Sequence, residues 1–547
     1  MSDIFTVKPL SPHTEPHMSF IPRIILALLL TSLALGAAEA PPKPAQPKPP
    51  NILFCLADDW GLHAKDYGCE WIRTPNVDAL AREGLIFDQA YTPTAKCSTS
   101  RASLLTGRNP WLMKEAANHF CNFPAEFKTW MEALGEQGWH TGHTGKGWGP
   151  GTANDAAGKP RQLTGPAWQK RKLKTSTREI SSTDYAANFK DFLDANRNDQ
   201  PWAFWFGCYE PHRDYEKDSG IRKGGFRPES IDRIPGYWPD TPEVRGDLLD
   251  YAFEVQYFDR QLGFMIAELK ARGLFENTLI VVTSDNGMPF PRVKGNVYEA
   301  ANHLPFLLVW QGRVLQPGRH VPDLISFIDL APTFFEAAGL PWEKSGLAPG
   351  NGRSLLEFCS NTQAIPERQW VLLGKERTDT GRPGDVGYPT RSLVTDGFML
   401  IHNYEPSRWP AGNPETDYRD VDASPTKLQI LQRQKVDPAE RHWRLCFGLR
   451  PKYELYKLKT DPDCVNNLAD DPAQAGRVQS MASLLTAELT RQKDPRALGE
   501  GAVFDSYTYT NKSECGLYEK WLQKQQSEQR PAADSQPASA SAATKPN

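Results

Sequence analysis

Asn51-Ile-Leu-Phe-Cys-Leu-Ala57 is an apolar run of strand length that stops abruptly at Asp58-Asp59. Leu279-Ile-Val-Val-Thr283 repeats the pattern and delivers, after Ser284, Asp285-Asn286-Gly287. Trp202-Ala-Phe-Trp-Phe206 leads to Pro211-His212, and the stretch from Trp139 to Gly145 leads to Lys146. Between these runs lie helical patterns, the clearest being Leu248, Ala252, Val255, Phe258, Leu262, Ile266 and Leu269, three or four apart and stopped by Gly273. Strands alternating with helices predict an α/β fold with a large, mostly parallel sheet sandwiched by helices. In such sheets the ligand lies beyond the carboxyl ends of the strands. The four polar clusters are therefore expected to converge, although the sequence holds them far apart.

Asp58, Asp59, Asp285 and Asn286 offer only oxygen atoms. Three carboxylates and an amide in one crevice repel one another unless a hard divalent cation sits among them, and all-oxygen ligation favours calcium over zinc. Asp-Asp and Asp-Asn-Gly are also ordinary turn formers at strand ends, a reading that needs no ion. A second feature lies at Tyr91 to Gly107, YTPTAKCSTSRASLLTG, where Cys97 opens a helical stretch and Arg101 follows one turn later on the same face. A helix amino end beside an arginine suits an anion.

Composition sets the wider frame. The chain has 547 residues, with 63 Lys+Arg against 66 Asp+Glu, and 39% of it is hydrophobic. Neither sign of charge is in surplus, which argues against a polybasic nucleic-acid binder. The length outgrows a single core, so two domains are expected. Sixteen Trp and 17 Tyr suit sugar contact and ordinary cores alike. The apolar run Ile24 to Gly36, after Arg23 and before Ala38-Glu39-Ala40, reads as a signal peptide over residues 1–40 with its natural start at Met18. It is too short for a stable membrane span, although a signal anchor is the alternative. Residues 41–50 form a Pro-rich leader, and export to the periplasm or the medium is expected. Gln523 to Asn547 reads as a disordered tail. The nine cysteines are odd in number and lack the short paired spacing of a zinc site.

With these residues in hand, the chain resembles the type I, formylglycine-dependent sulfatases of the alkaline-phosphatase superfamily. The resemblance rests on Leu-Ala-Asp58-Asp59, Thr74-Pro-Asn-Val-Asp-Ala-Leu-Ala81, the Cys97 stretch, Gly145-Lys146-Gly147, Pro211-His212-Arg213 and Ser284-Asp-Asn-Gly287. Asp285 to Pro291, Asn296-Val-Tyr298, Glu454-Leu-Tyr456, Asp461-Pro-Asp463 and Asn467-Leu468 look like the heparan N-sulfatase (sulfamidase) branch. It implies that a maturation enzyme converts Cys97 to formylglycine, and that calcium is held by Asp58, Asp59, Asp285, Asn286 and the residue-97 side chain. Arg101, Lys146 and Lys294 would offset charge on the sulfuryl oxygens, and His212 would protonate the leaving group. A sulfated carbohydrate is the implied substrate.

Two positions depart from the family pattern. Thr99 stands where Pro or Ala is usual. Two residues beyond Lys146, where the family carries a histidine thought to act on the formylglycine hydroxyl, stands Trp148; His143 or His140 could compensate, though both read as strand residues. The catalytic domain is expected over 51–356 and a smaller C-terminal α+β domain over 357–522. Gln369 to Leu373 and the runs flanking Asp396-Gly397 predict a small antiparallel sheet in the latter. From it, Arg391 or the Glu376-Arg377 pair would reach the sugar, if they are not merely surface charge. The rivals are a phosphate or phosphonate ester hydrolase of the same superfamily and an inactive glycan-binding homologue.

Overall fold

The computed structural model describes residues 48–529 except 364, 366 and 367. The signal segment 1–40, most of the Pro-rich leader and residues 530–547 of the tail lie outside the described residues. In chain order the strands are β1 (Asn51–Ala57), β2 (Leu85–Tyr91), β3 (Cys121–Phe123), β4 (His140–Gly145), β5 (Gly151–Ala153), β6 (Trp202–Gly207) and β7 (Thr278–Ser284). They continue with β8 (Leu307–Val309), β9 (Arg319–Ser326), β10 (Val371–Lys375), β11 (Thr390–Thr395), β12 (Phe398–Asn403) and β13 (Tyr453–Lys457).

Seven strands form the main sheet in the order β4-β6-β1-β7-β8-β2-β9. Only β8 runs against its neighbours, so the sheet is mostly parallel, as expected. Alternate residues of β1 feed two apolar layers. Leu53, Cys55 and Ala57 pack with Phe204, Phe206 and Val282 on one face, while Ile52, Phe54 and Leu56 pack with Trp205 and Val281 on the other. Burial on both faces is why β1 reads as an unbroken apolar run.

Register brings the polar clusters together. Leu56 lies opposite Gly207 of β6 and Thr283 of β7, while Gly145 of β4 also lies opposite Gly207. The four strands thus end side by side. Two glycines allow it: Gly145 has φ +75, and a Cβ there would stand 1.9 Å from the Gly207 carbonyl oxygen. A Cβ on Gly207 would stand 1.8 Å from the Lys146 oxygen. Any side chain at either position would force the strand ends apart.

The long helix Pro242–Ala271 covers one face, with Thr241 capping its start and Leu248, Ala252, Val255, Phe258, Leu262 and Leu269 turned inward. The second sheet, β10-β11-β12-β13, is antiparallel throughout. Asp396 and Gly397 join β11 to β12 with φ of 50 and 69, the paired positive values that a tight hairpin requires. The helix Ala475–Arg491 lays Met481, Leu485 and Leu489 on Leu393, Leu400 and Leu455 of that sheet.

The tail reading needs correction. Residues 523–529 belong to a helix, Leu517–Gln529, rather than to disorder. Its Gln, Lys and Glu residues are good helix formers, and its start is tied down. The Gly516 N–H donates to the Asp385 carboxylate at 2.7 Å, and the Gly384 N–H donates to Glu519 at 2.8 Å. All nine cysteines are free thiols.

Candidate active site

Cys97 begins the helix Cys97–Thr106, every residue of which is buried. The helix is bolted to the end of β7, since the Ser100 hydroxyl donates to the Asp285 carbonyl at 2.6 Å. Thr99 Oγ1 donates to the Lys96 carbonyl at 2.8 Å, so the residue that departs from the family pattern braces the first turn. Four residues on from Cys97, Arg101 points along the same face. Its Nε donates to Asp285 Oδ2 at 2.8 Å and its Nη1 to the Lys146 and Gly147 carbonyls at 2.9 and 2.8 Å.

Around this helix end the strand-end residues meet as the register requires. The Cys97 thiol donates to Asp58 Oδ1 at 3.4 Å, and Lys146 Nζ lies 2.5 Å from Asp58 Oδ2. Lys294 Nζ lies 2.7 Å from Asp59 Oδ2, with His212 Nε2 at 3.9 Å from the same oxygen. Carboxylate oxygens of Asp58, Asp59 and Asp285 fall within 4.8 Å of one another. Asn286 Nδ2 donates to Asp59 Oδ1 at 2.6 Å, which leaves Asn286 Oδ1 buried with no hydrogen-bond partner. Three carboxylate oxygens therefore converge in one buried spot, and the unpartnered Asn286 Oδ1 belongs to a residue bonded to Asp59, a donor set that fits a calcium-like cation.

Electrostatics separate the three acids. Burial alone would raise Asp58, but Lys146 and Arg101 hold it well below the usual carboxylate range. Burial and the neighbouring Asp58 charge instead push Asp285 well above that range, and burial also raises Asp59 against the pull of Lys294. Burial and Asp58 push the Cys97 thiol up, yet Lys146, Lys294 and His119 outweigh them and hold it well below its ordinary value. For His212, burial and Lys294 push down while Asp59 and Asp58 push up, and the balance lifts it to about 9.

Asp58, Cys97, Lys146, His212 and Lys294 of this constellation line a cavity of about 650 Å3. Its opposite wall comes from the C-terminal region, through residues 379–380, 417–427 and 509–514. Lys294 is shared between the halves, since Asp422 Oδ2 lies 3.3 Å from its Nζ. Sequence reasoning missed four of the charged or polar groups facing Cys97 and its neighbours: Lys96, His119, Asp379 and Asp422. Only Lys96 had a signal, its adjacency to Cys97.

Other expectations fail. Arg391 is 1% exposed and forms ion pairs with Glu376 and Asp494 at 2.7 Å, and Arg496 completes the set on Glu376, so neither Arg391 nor Glu376 is free to touch a sugar. Arg377 is also buried, with its guanidinium on the Tyr507 carbonyl. Buried away from water, Arg391, Arg496, Glu376 and Asp494 offset one another's charge. Nor do the candidate substitutes for the missing histidine reach Cys97. His140 stacks on Phe192, and His143 bonds the Gly165 carbonyl at 2.8 Å. Trp148 donates its indole N–H to the Ser98 carbonyl at 2.9 Å and packs on Phe123.

Comparison with known proteins agrees with this geometry. The Sulfatase family model matches residues 50–340. Human N-sulphoglucosamine sulphohydrolase is 28% identical over 505 residues, covering 86% of this chain and 95% of the relative. An ulvan-active sulfatase of Formosa agariphila is 24% identical, covering 84% of this chain and 78% of its own length. Among solved structures, BT4656 in complex with its substrate D-glucosamine-2-N,6-O-disulfate superposes with a TM-score of 0.55 at 18% identity, covering 82% of this chain and 98% of that one. The phosphonate monoester hydrolase of Agrobacterium radiobacter gives 0.52 at 18% identity, covering 81% and 96%. These two share the fold. Because the family match spans the strand ends, the Cys97 helix and the acidic cluster together, this chain belongs to the sulfatase family, with the alkaline-phosphatase-like fold, and is a sulfuric ester hydrolase.

Proposed function

We propose that this enzyme hydrolyses a sulfate ester or sulfamate on a sulfated glycan, using formylglycine formed from Cys97 and one calcium ion. The observation that carries the reading is that Cys97, Asp58, Lys146, Lys294 and His212 line one cavity, with the carboxylates of Asp59 and Asp285 within 4.8 Å of that of Asp58. Asp58, Asp59, Asp285, Asn286 and the residue-97 side chain would hold the cation. Bound there, calcium would act as a Lewis acid that polarises a sulfuryl oxygen and favours an ionised nucleophile. Formylglycine supplies, as its hydrate, a hydroxyl in place of a thiol.

The chain's own residues do the rest. Lys146 and Lys294 carry positive charge on either side of Cys97, and the Arg101 guanidinium fixes Asp285 while adding a third charge. Together they favour an incoming sulfuryl group and offset the charge that builds on its oxygens. His212 follows β6 on the cavity floor and delivers a proton to the departing oxygen or nitrogen. The region 51–356 provides this machinery, and 357–522 closes the cavity over the sugar. The signal-like segment supports export to the periplasm or beyond, and because Cys97 is buried a maturation enzyme that accepts Cys-Ser-Thr-Ser-Arg must act before the chain folds. Among the described residues no helix is long and apolar enough to cross a membrane.

The test is direct. The protein is produced beside a formylglycine-generating enzyme and the Cys97 peptide is weighed, the aldehyde being lighter than the thiol. Turnover is then compared on an aryl sulfate, an aryl phosphate and a panel holding N-sulfoglucosamine beside 2-O-, 3-O-, 4-O- and 6-O-sulfated sugars. Release of sulfate from a panel member supports the reading. Preferential phosphate turnover, or an unmodified and inert protein from the native host, overturns it.

A further inference from the structure

Between the turn Lys114–Ala117 and β3 lies the segment Asn118-His119-Phe120, which carries no motif. It is docked against the C-terminal region. The His119 N–H donates to the Arg377 carbonyl at 3.0 Å, and the Arg377 N–H donates to Asn118 Oδ1 at 3.0 Å. This docking sets the His119 ring on the cavity wall, where it is 6% exposed.

One ring nitrogen is engaged. His119 Nδ1 lies 3.2 Å from Asp379 Oδ1. Asp379 is itself held, with Lys96 Nζ at 2.7 Å from Oδ2 and the Tyr509 hydroxyl donating to Oδ1 at 2.9 Å. Burial pushes the Asp379 carboxyl up, but Lys96 and then His119 pull it far below its ordinary range. An ionised carboxylate can only accept, so Nδ1 carries the hydrogen in this contact, and in the neutral ring Nε2 is the nitrogen with the lone pair. That nitrogen, Nε2, is buried and has no hydrogen-bond partner. Cys97 and His119 line the same cavity. An orphaned acceptor at this depth is costly unless something it can pair with arrives.

We propose that His119, oriented by Asp379, accepts the proton of the residue-97 side-chain hydroxyl at Nε2 once Cys97 has been converted. The proton passes from the hydroxyl oxygen to Nε2 while Nδ1 keeps its own on Asp379. His119 is thus the catalytic histidine toward the nucleophile, Asp379 is its positioning residue, and Trp148 is released from that duty to brace the Ser98 carbonyl. The inference rests on the formylglycine reading above.

The experiment uses converted protein, with formylglycine content fixed by the mass of the residue-97 peptide. His119→Ala and His119→Gln are expected to lower kcat on an aryl sulfate by about 10²–10³-fold with KM changed less than about threefold. Release of the first equivalent of phenol should slow along with turnover, and added imidazole should restore part of the rate in His119→Ala. Asp379→Asn should lower kcat less. Ring 15N spectra of histidine-labelled protein give a readout apart from turnover: His119 should show the Nδ1–H tautomer, and Asp379→Asn should erase that preference. Both His119 variants turning over within about threefold of the parent at equal conversion would overturn the proposal, as would Nε2–H in the parent. A parent with no aldehyde and no sulfatase activity would instead be a failure of the underlying reading.

Discussion

At the carboxyl ends of β1 and β7, Asp58, Asp59 and Asp285 face Arg101, Lys146 and Lys294; beside the second sheet, Glu376 and Asp494 face Arg391 and Arg496. Both clusters are buried and both balance in formal charge. The second is closed. Arg391 grips Asp494 with Nε and Nη2 at 2.7 and 3.0 Å, and Arg496 grips Glu376 in the same two-toothed manner. The first is open on a cavity and leaves Arg101 Nη2 and Asn286 Oδ1 without hydrogen-bond partners. Charges that satisfy one another make a brace, whereas charges left partly unsatisfied beside a cavity are prepared for a ligand. The residue types are the same; what differs is whether the geometry leaves valence over.

That contrast breaks if substitutions in the two clusters have similar effects. Asp285→Asn, or Asp58→Asn, is expected to lower sulfatase activity on the order of 10³-fold or more, because one anionic ligand is lost, while the melting temperature moves little. Steady-state kinetics beside calorimetry checks this, and a collapse of the fold in place of activity would remove the distinction.

His212→Ala sharpens the account of the open cluster. A general acid matters most for a poor leaving group, so turnover of a sugar sulfate or sulfamate should fall by about 10²–10⁴-fold. An activated aryl sulfate should suffer much less. Equal losses on both substrates, with a lower melting temperature, would make His212 structural.

In the closed cluster the expected effect is on stability. Asp494→Ala leaves Arg391 buried without its main partner and should cost about 3–5 kcal/mol in urea unfolding. Activity per folded molecule should stay close to that of the parent. The smallest effect belongs to the cation: calcium at about 100 times its Kd should raise stability by about 2.7 kcal/mol, and Asp285→Asn should abolish the shift. No calcium response in the parent would argue against an open acidic site.

Much of this site was legible before any fold was known. Asp58, Asp59, Asp285 and His212 each come after an apolar strand, and parallel strands in register must carry the residues beyond their ends to one edge of the sheet. Lys146 obeys the same rule, helped by two glycines that only the packed strands explain. Arg391 misled because a charged residue in a strand flanked by a turn looks like surface, and nothing in its own stretch announces Asp494 waiting 103 residues away. The tail misled for the opposite reason: its polar composition hides a helix whose anchoring contacts lie on the 384–385 turn.

What the sequence by itself determined was the layout of strands, the position of the acidic cluster at their ends and Cys97 at the head of a helix. Periodicity and apolar run length are local properties, and hydrophobic burial enforces them wherever the chain goes. Only the tertiary structure decided which charges cancel and which stay open, and which histidine stands beside Cys97. Those outcomes depend on what faces a side chain across the fold: Asp379 meets His119 from 260 residues away, and no spacing rule along the chain encodes that meeting.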